Sequence, residues 1–316
     1  MEAHAVKDPV VELLTTYNEL NSSRIEELTE EPSPLEFMRY VARNTPFVVR
    51  RGARDWIATQ TWDAAYLRST LTGNKVNVAV TPFGNADAPT PDGEGRIVFA
   101  KPHEEDQEFG EFLDYVMRQE KTSSLESEQG LGKGGEVRYA QTQNDNLRHE
   151  YIMLFSQVER SIAFARIALE REPDAINLWI GNSRSVTALH RDNYENVYVQ
   201  VAGRKHFVLL PPIFQPCVNE QDLEPATYTR SREGTRQEGN IEGLALRLDE
   251  AADGNIPFAT WDPDKPDVRA TSYSHLAEPM RISLEPGDML YLPAMWYHKV
   301  SQSCSEEGIC VAVNYW

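Results

Sequence analysis

The chain has 316 residues, 41% of them hydrophobic, and carries 49 Asp and Glu against 31 Lys and Arg, a formal net charge of −18. The length allows one or two domains with a sizeable core, while the charge argues against nucleic acid and against an anionic membrane surface, since both need basic patches. It is compatible with a basic protein substrate and equally with plain solubility. Cys217, Cys304 and Cys310 are too far apart for a disulfide framework or a zinc site. The first residues are too acidic and too weakly apolar for a signal peptide, and no apolar run nears the roughly 18 residues of a membrane span. The expectation is a soluble protein of a reducing compartment, the cytoplasm first and the nucleus second.

In chain order, residues 6–29 read as helix, because Val10, Leu13, Leu14, Tyr17 and Leu20 recur at three and four. Ser22-Ser23 interrupts this segment before Arg24–Leu28. The apolar stripe either packs on the rest of the fold or forms a homodimer contact. Ser33, with Pro34 at the first helical position and Glu36 three residues on, has capping-box spacing, so a helix runs Leu35–Ala42. Phe47–Arg50 reads as a short strand, Trp62–Leu71 as a helix and Val76–Val80 as an alternating strand. Pro82–Gly95, rich in Pro, Gly, Asn and Asp, reads as a loop. Phe109–Arg118 has helical spacing, and Ser123–Gly135, polar with four glycines, reads as a linker or mobile loop.

The character changes near Val137, which divides the chain into a helical and mixed region, 1–136, suited to dimerisation, and a β-rich domain, 137–316. Strand-like runs at Asn177–Gly181, Asn196–Val201, Lys205–Leu210, Met280–Leu284, Met289–Leu292 and Ile309–Trp316 predict a sandwich or barrel. Gln215–Thr271 is too long and too charged for a plain hairpin, and is expected to carry local structure or contact a partner.

The most informative stretch is Thr187-Ala188-Leu189-His190-Arg191-Asp192. On an extended backbone, residues i and i+2 point to the same side, so His190 and Asp192 can converge on one ion. His298 completes the set, following a Pro-Gly-Asp turn at 286–288, the strand Met289–Leu292 and Pro293. Two His and one carboxylate on one face of an octahedral ion form the pattern of non-haem Fe(II) oxygenases, with open positions for a chelating 2-oxo acid and dioxygen. His206 should face away from Lys205. His4, His103, His149 and His275 lack a second ligand at useful spacing.

Together, Asn177–Gly181, Thr187–Asp192, Asn196–Lys205, the Pro-Gly-Asp segment leading to His298, and the ending Val313-Asn314-Tyr315-Trp316 resemble the jumonji-C (JmjC) family of 2-oxoglutarate oxygenases, within the wider cupin class. The resemblance covers about residues 137–316. It implies a mainly β fold with some α: a double-stranded β-helix, or jelly roll, with N-terminal helices and the metal in the barrel mouth. The cofactor it implies is Fe(II), with 2-oxoglutarate and O2 as cosubstrates. Within the family the chain is similar to the small protein hydroxylases of the jumonji-domain-seven type. That subgroup implies C-3 hydroxylation of a lysine in a translation-associated GTPase of the developmentally regulated family, and a homodimer. It has also been linked to peptidase action on histone tails, for which this sequence shows neither H-E-x-x-H nor a nucleophile triad.

The distal carboxylate of the 2-oxo acid needs a cation with hydroxyl partners. Lys205 fits: it follows the Gly203 turn, shares parity with Phe207 and Leu209, and would be costly inside a barrel without an anion. By resemblance Thr187 and Tyr139 are the matching hydroxyls, although Thr187 lies three residues from His190, so strict alternation puts the two on opposite faces unless the strand bends. Asn196 and Asn314 match family positions in the cosubstrate pocket, and Trp316, two residues after Asn314, is expected to wall it. Trp296 is expected to pack. A lysine substrate needs acidic groups near the metal; Asp145, Glu195, Asp288 and the 215–271 segment are the candidates. The alternatives within the family are a histone lysine demethylase, an arginyl hydroxylase and a peptidase, and outside it a non-catalytic cupin-like binding module. The His/Asp/His set with Lys205 counts against the last.

Overall fold

Two sheets enclose one slot; most strands of the larger are buried on both faces, whereas β18 (Tyr297–Ser303) of the smaller alternates. The computed structural model describes residues 8–129, 135–230, 243–252 and 254–316. The larger sheet has the order β1 (Glu26–Leu28), β2 (Phe47–Val49), β17 (Met289–Leu292), β10 (Asn196–Ala202), β19 (Cys310–Tyr315), β8 (Ile176–Gly181). The smaller has β16 (Met280–Leu284), β11 (Arg204–Leu210), β18 (Tyr297–Ser303) and β9 (Thr187–Arg191), all antiparallel. Trp179, Tyr198, Phe207, Leu209, Leu290 and Ala312 fill the space between them. This is the cupin-like jelly roll, mainly β with flanking helices.

Each sheet needs its outer face covered, because burying a large apolar side chain is worth about 1.5–3 kcal/mol. Helices α2 (Pro34–Arg43) and α7 (Ala163–Leu169) cover the larger sheet, where Phe37 and Phe164 pack at 5.1 Å between ring centroids and Phe37 meets Tyr291 at 4.8 Å. Helix α1 (Pro9–Leu20) covers part of the other: Leu14 is buried, and Val10 and Tyr17 pack with it against Phe214 and Leu210. Leu13 and Leu20 of the same predicted stripe are exposed.

Three smaller sheets flank the slot: β6 (His103–Glu108), β3 (Lys75–Thr81) and β7 (Val137–Tyr139); β14 (Leu244–Leu248), β13 (Pro225–Arg230), β5 (Ile97–Lys101) and β4 (Ala88–Pro91); and β12 (Glu220–Leu223) with β15 (Ile256–Ala259). The 215–271 segment therefore carries four strands of its own; residues 231–242 and 253 lie outside the described ones.

Ser33 and Glu36 form the capping box as spaced. Several local expectations are corrected. Glu26–Leu28 is a strand rather than helix, because it pairs in parallel with Phe47–Val49. The Trp62–Leu71 helix is α4 (Ala64–Thr70), shorter at its start because Asp63 caps it, and a separate short helix, α3 (Ile57–Thr61), precedes it. The Pro82–Gly95 loop contains β4, whose pairing with β5 outweighs its two prolines. Helix α5 (Phe109–Gln129) runs through most of the expected linker, and 130–134 lie outside the described residues. Short helix α6 (Ile152–Phe155) was not legible. Among the described residues no helix is long and apolar enough to cross a membrane.

Candidate active site

His190 and Asp192 stand at the end of β9, and His298 stands opposite His190 on β18. Their ligand atoms lie within 4.8 Å of one another, and among the described residues this is the grouping that could hold a metal ion. Asp192 lies between the imidazoles, 3.7 Å from His190 Nε2 and 3.5 Å from His298 Nε2. Each ring is set by its own strand: His190 Nδ1 meets the Ala188 carbonyl at 2.9 Å and His298 Nδ1 the Trp296 carbonyl at 3.0 Å. A carbonyl only accepts, so each Nδ1 is the donor and each Nε2 is the nitrogen left to face a metal. Burial, then the neighbouring His190, holds the His298 imidazole down to about 4, with Asp192 opposing, so the ring is neutral as a ligand must be. The donor set fits Fe(II) in kind and number.

Behind the donors, one cavity is lined by Tyr139, Thr187, Asn196, Lys205, Asn314 and Trp316 together with all three metal donors. Every residue singled out for the cosubstrate thus faces the same space. Lys205 points inward from β11 and is 3% exposed. Its ammonium donates to the Tyr139 hydroxyl at 2.8 Å, and among the described residues no carboxylate pairs with it. Burial pushes the Tyr139 and Tyr198 phenols up, so both remain neutral hydroxyls. A buried ammonium held only by neutral oxygen is an anion site in waiting. The indole N–H of Trp316 is also buried without a partner, which fits a polar guest. Asn314 is fixed from both sides: its oxygen accepts from Trp179 Nε1 at 2.9 Å and its amide donates to Asn196 at 3.2 Å.

The Thr187 parity conflict is resolved by a β-bulge. Val300 pairs with Thr187 and His298 with His190, two residues on β18 against three on β9. The extra residue brings Thr187 and His190 to the same face, while Leu189 turns to the opposite core. Gly181 on β8 serves Tyr139: a Cβ there would stand 2.5 Å from the Tyr139 ring.

In front of the donors lies an outer chamber of ≈ 590 Å3. None of Asp145, Glu195 or Asp288 lines it, which corrects them as substrate contacts. Asp145 accepts from Arg148 and the Ile176 amide, Glu195 from the Tyr291 hydroxyl, and Asp288 from Arg50 and the Arg51 amide. Besides the metal donor Asp192, which with His190 also lines it, the chamber's acidic residues are Asp87, Glu104 and, from the 215–271 segment, Glu220. Asp87 and Glu104 were missed because neither lies on a segment with apolar periodicity. Tyr198 could have been found from its parity with Asn196. Among the other histidines, His206 faces away from Lys205, between the Ser283 and Ser303 hydroxyls. His103 and His149 sit beside Glu105 and Asp145, and His4 lies outside the described residues. Trp296 is buried and donates to Asn44, a packing role.

Comparison with known proteins agrees with this geometry. The family described as cupin-like domain matches residues 32–316. The human bifunctional peptidase and (3S)-lysyl hydroxylase JMJD7 is 37% identical over 92% of this chain and 82% of its own length. Lysine-specific demethylase JMJ32 of Arabidopsis thaliana is 34% identical over 93% and 81%, and JmjC domain-containing protein E of Dictyostelium discoideum 33% over 92% and 83%. With a His/Asp/His set and a buried lysine in one jelly-roll cavity, the chain belongs to the cupin-like JmjC family of Fe(II)- and 2-oxoglutarate-dependent oxygenases.

Proposed function

We propose that this protein is a protein lysyl hydroxylase that oxidises C-3 of a target lysine. The observation that carries the reading is the shared cavity of the metal donors and Lys205. His190, Asp192 and His298 would hold Fe(II), which with 2-oxoglutarate and O2 supplies the oxidising chemistry when bound. Lys205, with the Tyr139 hydroxyl on its ammonium, would take the distal carboxylate of 2-oxoglutarate in a charge-assisted contact. Thr187 offers a further hydroxyl from the bulged strand. The Trp179–Asn314–Asn196 chain keeps the cavity wall fixed and polar.

The lysine assignment is supported by the similarity to a (3S)-lysyl hydroxylase. Within this reading the target is a translation-associated GTPase, and the enzyme acts in the cytoplasm, with the nucleus as a second location, as a homodimer. A second reading, N-demethylation of methylated lysine, is favoured by the similarity to a lysine-specific demethylase.

The test incubates iron-loaded protein with 2-oxoglutarate and lysine or methyl-lysine peptides, and measures succinate and peptide mass. Gain of one oxygen atom with succinate, lost on His190→Ala, is the expected result. Loss of a methyl group selects the second reading. Absence of succinate above background with every peptide would overturn both.

A further inference from the structure

The outer chamber has an apolar side and a charged side. Phe99 and Phe258 stand 5.1 Å apart between ring centroids, and Phe258 lies parallel to the His190 imidazole at 6.4 Å. Of the carboxylates facing them, Glu220 is committed: one oxygen accepts from Arg191 at 3.0 Å and the other from the Tyr297 hydroxyl at 2.8 Å. Glu104 is exposed.

Asp87 is different. It is half-buried just ahead of β4, and among the described residues its one side-chain hydrogen-bond partner is the Gln141 amide, which donates to Oδ2 at 3.1 Å. Two basic groups act on it from a distance, His190 and then Lys101, and Lys101 is held by Asp249 at 2.8 Å. Among the described residues no Lys, Arg or His pairs with Asp87. A carboxylate withdrawn from water needs a cation or several donors, and Asp87 has one neutral donor. Burial, and then Glu104, push its carboxyl up from the usual range. That is the cost a cationic guest would remove.

We propose that Asp87 is the specificity residue that receives the ammonium of the substrate lysine, with Glu104 in support and the aliphatic stem lying against Phe99 and Phe258. The assignment rests on the lysyl reading above and sharpens it. Asp87 lines the outer chamber, which His190 and Asp192 also line, and not the inner cavity shared by all three metal donors. In this proposal the nitrogen anchored at Asp87 is held off the metal and the stem carbon C-3 is offered to it. That arrangement would favour hydroxylation of carbon over removal of an N-methyl group.

Binding, not turnover, tests this. The full chain is loaded with Mn(II) and 2-oxoglutarate. The probes are Nα-acetyl-lysine methylamide and its norleucine counterpart, which has the same stem without the ammonium, followed by ligand-observed NMR. The lysine probe should bind at least about tenfold more tightly, and Asp87→Asn should bring the two probes within about twofold, with a partial effect from Glu104→Gln. In the wild type, Mn(II) should relax the β protons on C-3 more than the ε protons, a reading that needs no variant. Equal binding of the two probes, an Asp87→Asn protein that keeps the full preference, or strongest relaxation at the ε protons would each overturn the assignment. Absence of succinate alongside an intact lysine preference would count against the proposed hydroxylase and not against Asp87.

Discussion

The Lys205 ammonium donates to the Tyr139 hydroxyl at 2.8 Å inside a cavity that also contains His190, Asp192 and His298. The two residues come from distant parts of the chain and from different sheets. Neither can satisfy the other fully: a phenol offers the ammonium one oxygen and no charge.

This pair gives the first prediction. Lys205→Met keeps the length of the side chain and removes the charge. Loss of one partner of a buried charge pair costs about 2–5 kcal/mol, so 2-oxoglutarate affinity should fall at least about thirtyfold. Without 2-oxoglutarate the same variant should be no less stable than the wild type, because it no longer buries an uncompensated cation. Calorimetric titration and thermal melts with and without the 2-oxo acid check both halves. A variant that melts lower and still binds 2-oxoglutarate normally would contradict the role.

Gly181→Ala should act on the same pair from behind. Its Cβ would meet Tyr139 Cδ2 at 2.5 Å, and the neighbouring Gln302 amide at 3.1 Å leaves little room to retreat. Overpacking of this kind costs about 1–3 kcal/mol, and here it displaces the hydroxyl that holds Lys205. The expected outcome is a lower melting temperature and weaker 2-oxoglutarate binding, with the second effect matched by Tyr139→Phe. Unchanged affinity in both variants would remove Tyr139 from the cosubstrate site.

Much of this site was legible because strand parity is a strict rule. His190 with Asp192, and Lys205 with Phe207 and Leu209, fall on one side by counting alone. Thr187 did not, because a bulge inserts one residue without leaving a mark in composition; only the pairing of β9 with β18 reveals it. The outer chamber was less visible still. His103–Glu108 is a strand of polar and acidic residues with no apolar alternation, formed because β3 offers it an edge. Asp87 precedes a proline-containing strand that reads as loop. The extension of α5 past Arg118 is carried by residues such as Glu, Gln and Lys, which are good helix formers but leave no amphipathic stripe to recognise.

The metal set predicts a linkage between ion and fold. An ion held by His190, Asp192 and His298 joins β9 to β18 and binds the native state alone. At a free concentration of one hundred times its dissociation constant it should stabilise the protein by about 2.7 kcal/mol. Mn(II) should therefore raise the melting temperature of the wild type, EDTA should reverse the gain, and His298→Ala should show neither effect. An equal shift in wild type and variant would place the ion elsewhere.

Asp288 separates a structural carboxylate from a substrate-binding one. It is 2% exposed. One oxygen accepts from the Arg51 amide at 2.9 Å, and the other accepts from the Glu285 amide at 2.9 Å and from the Arg50 guanidinium. These contacts fasten the turn before β17 to the residues that follow β2, across the junction where the N-terminal strands join the larger sheet. Asp288→Ala would leave two backbone amides without their acceptor and the Arg50 guanidinium with only Glu27 and the Ser283 carbonyl, and each buried donor left unsatisfied costs about 1–3 kcal/mol. The expected result is a large loss of stability in urea unfolding. Below the transition, the variant should still bind Mn(II) and prefer the lysine probe over norleucine, since Asp288 faces neither the inner cavity nor the outer chamber. Asp87→Asn should show the reverse, with the lysine preference lost and stability retained or raised as a half-buried charge is removed. If instead Asp288→Ala abolished the preference while unfolding at the wild-type urea concentration, the acidic end of the substrate site would lie at that turn and not at Asp87.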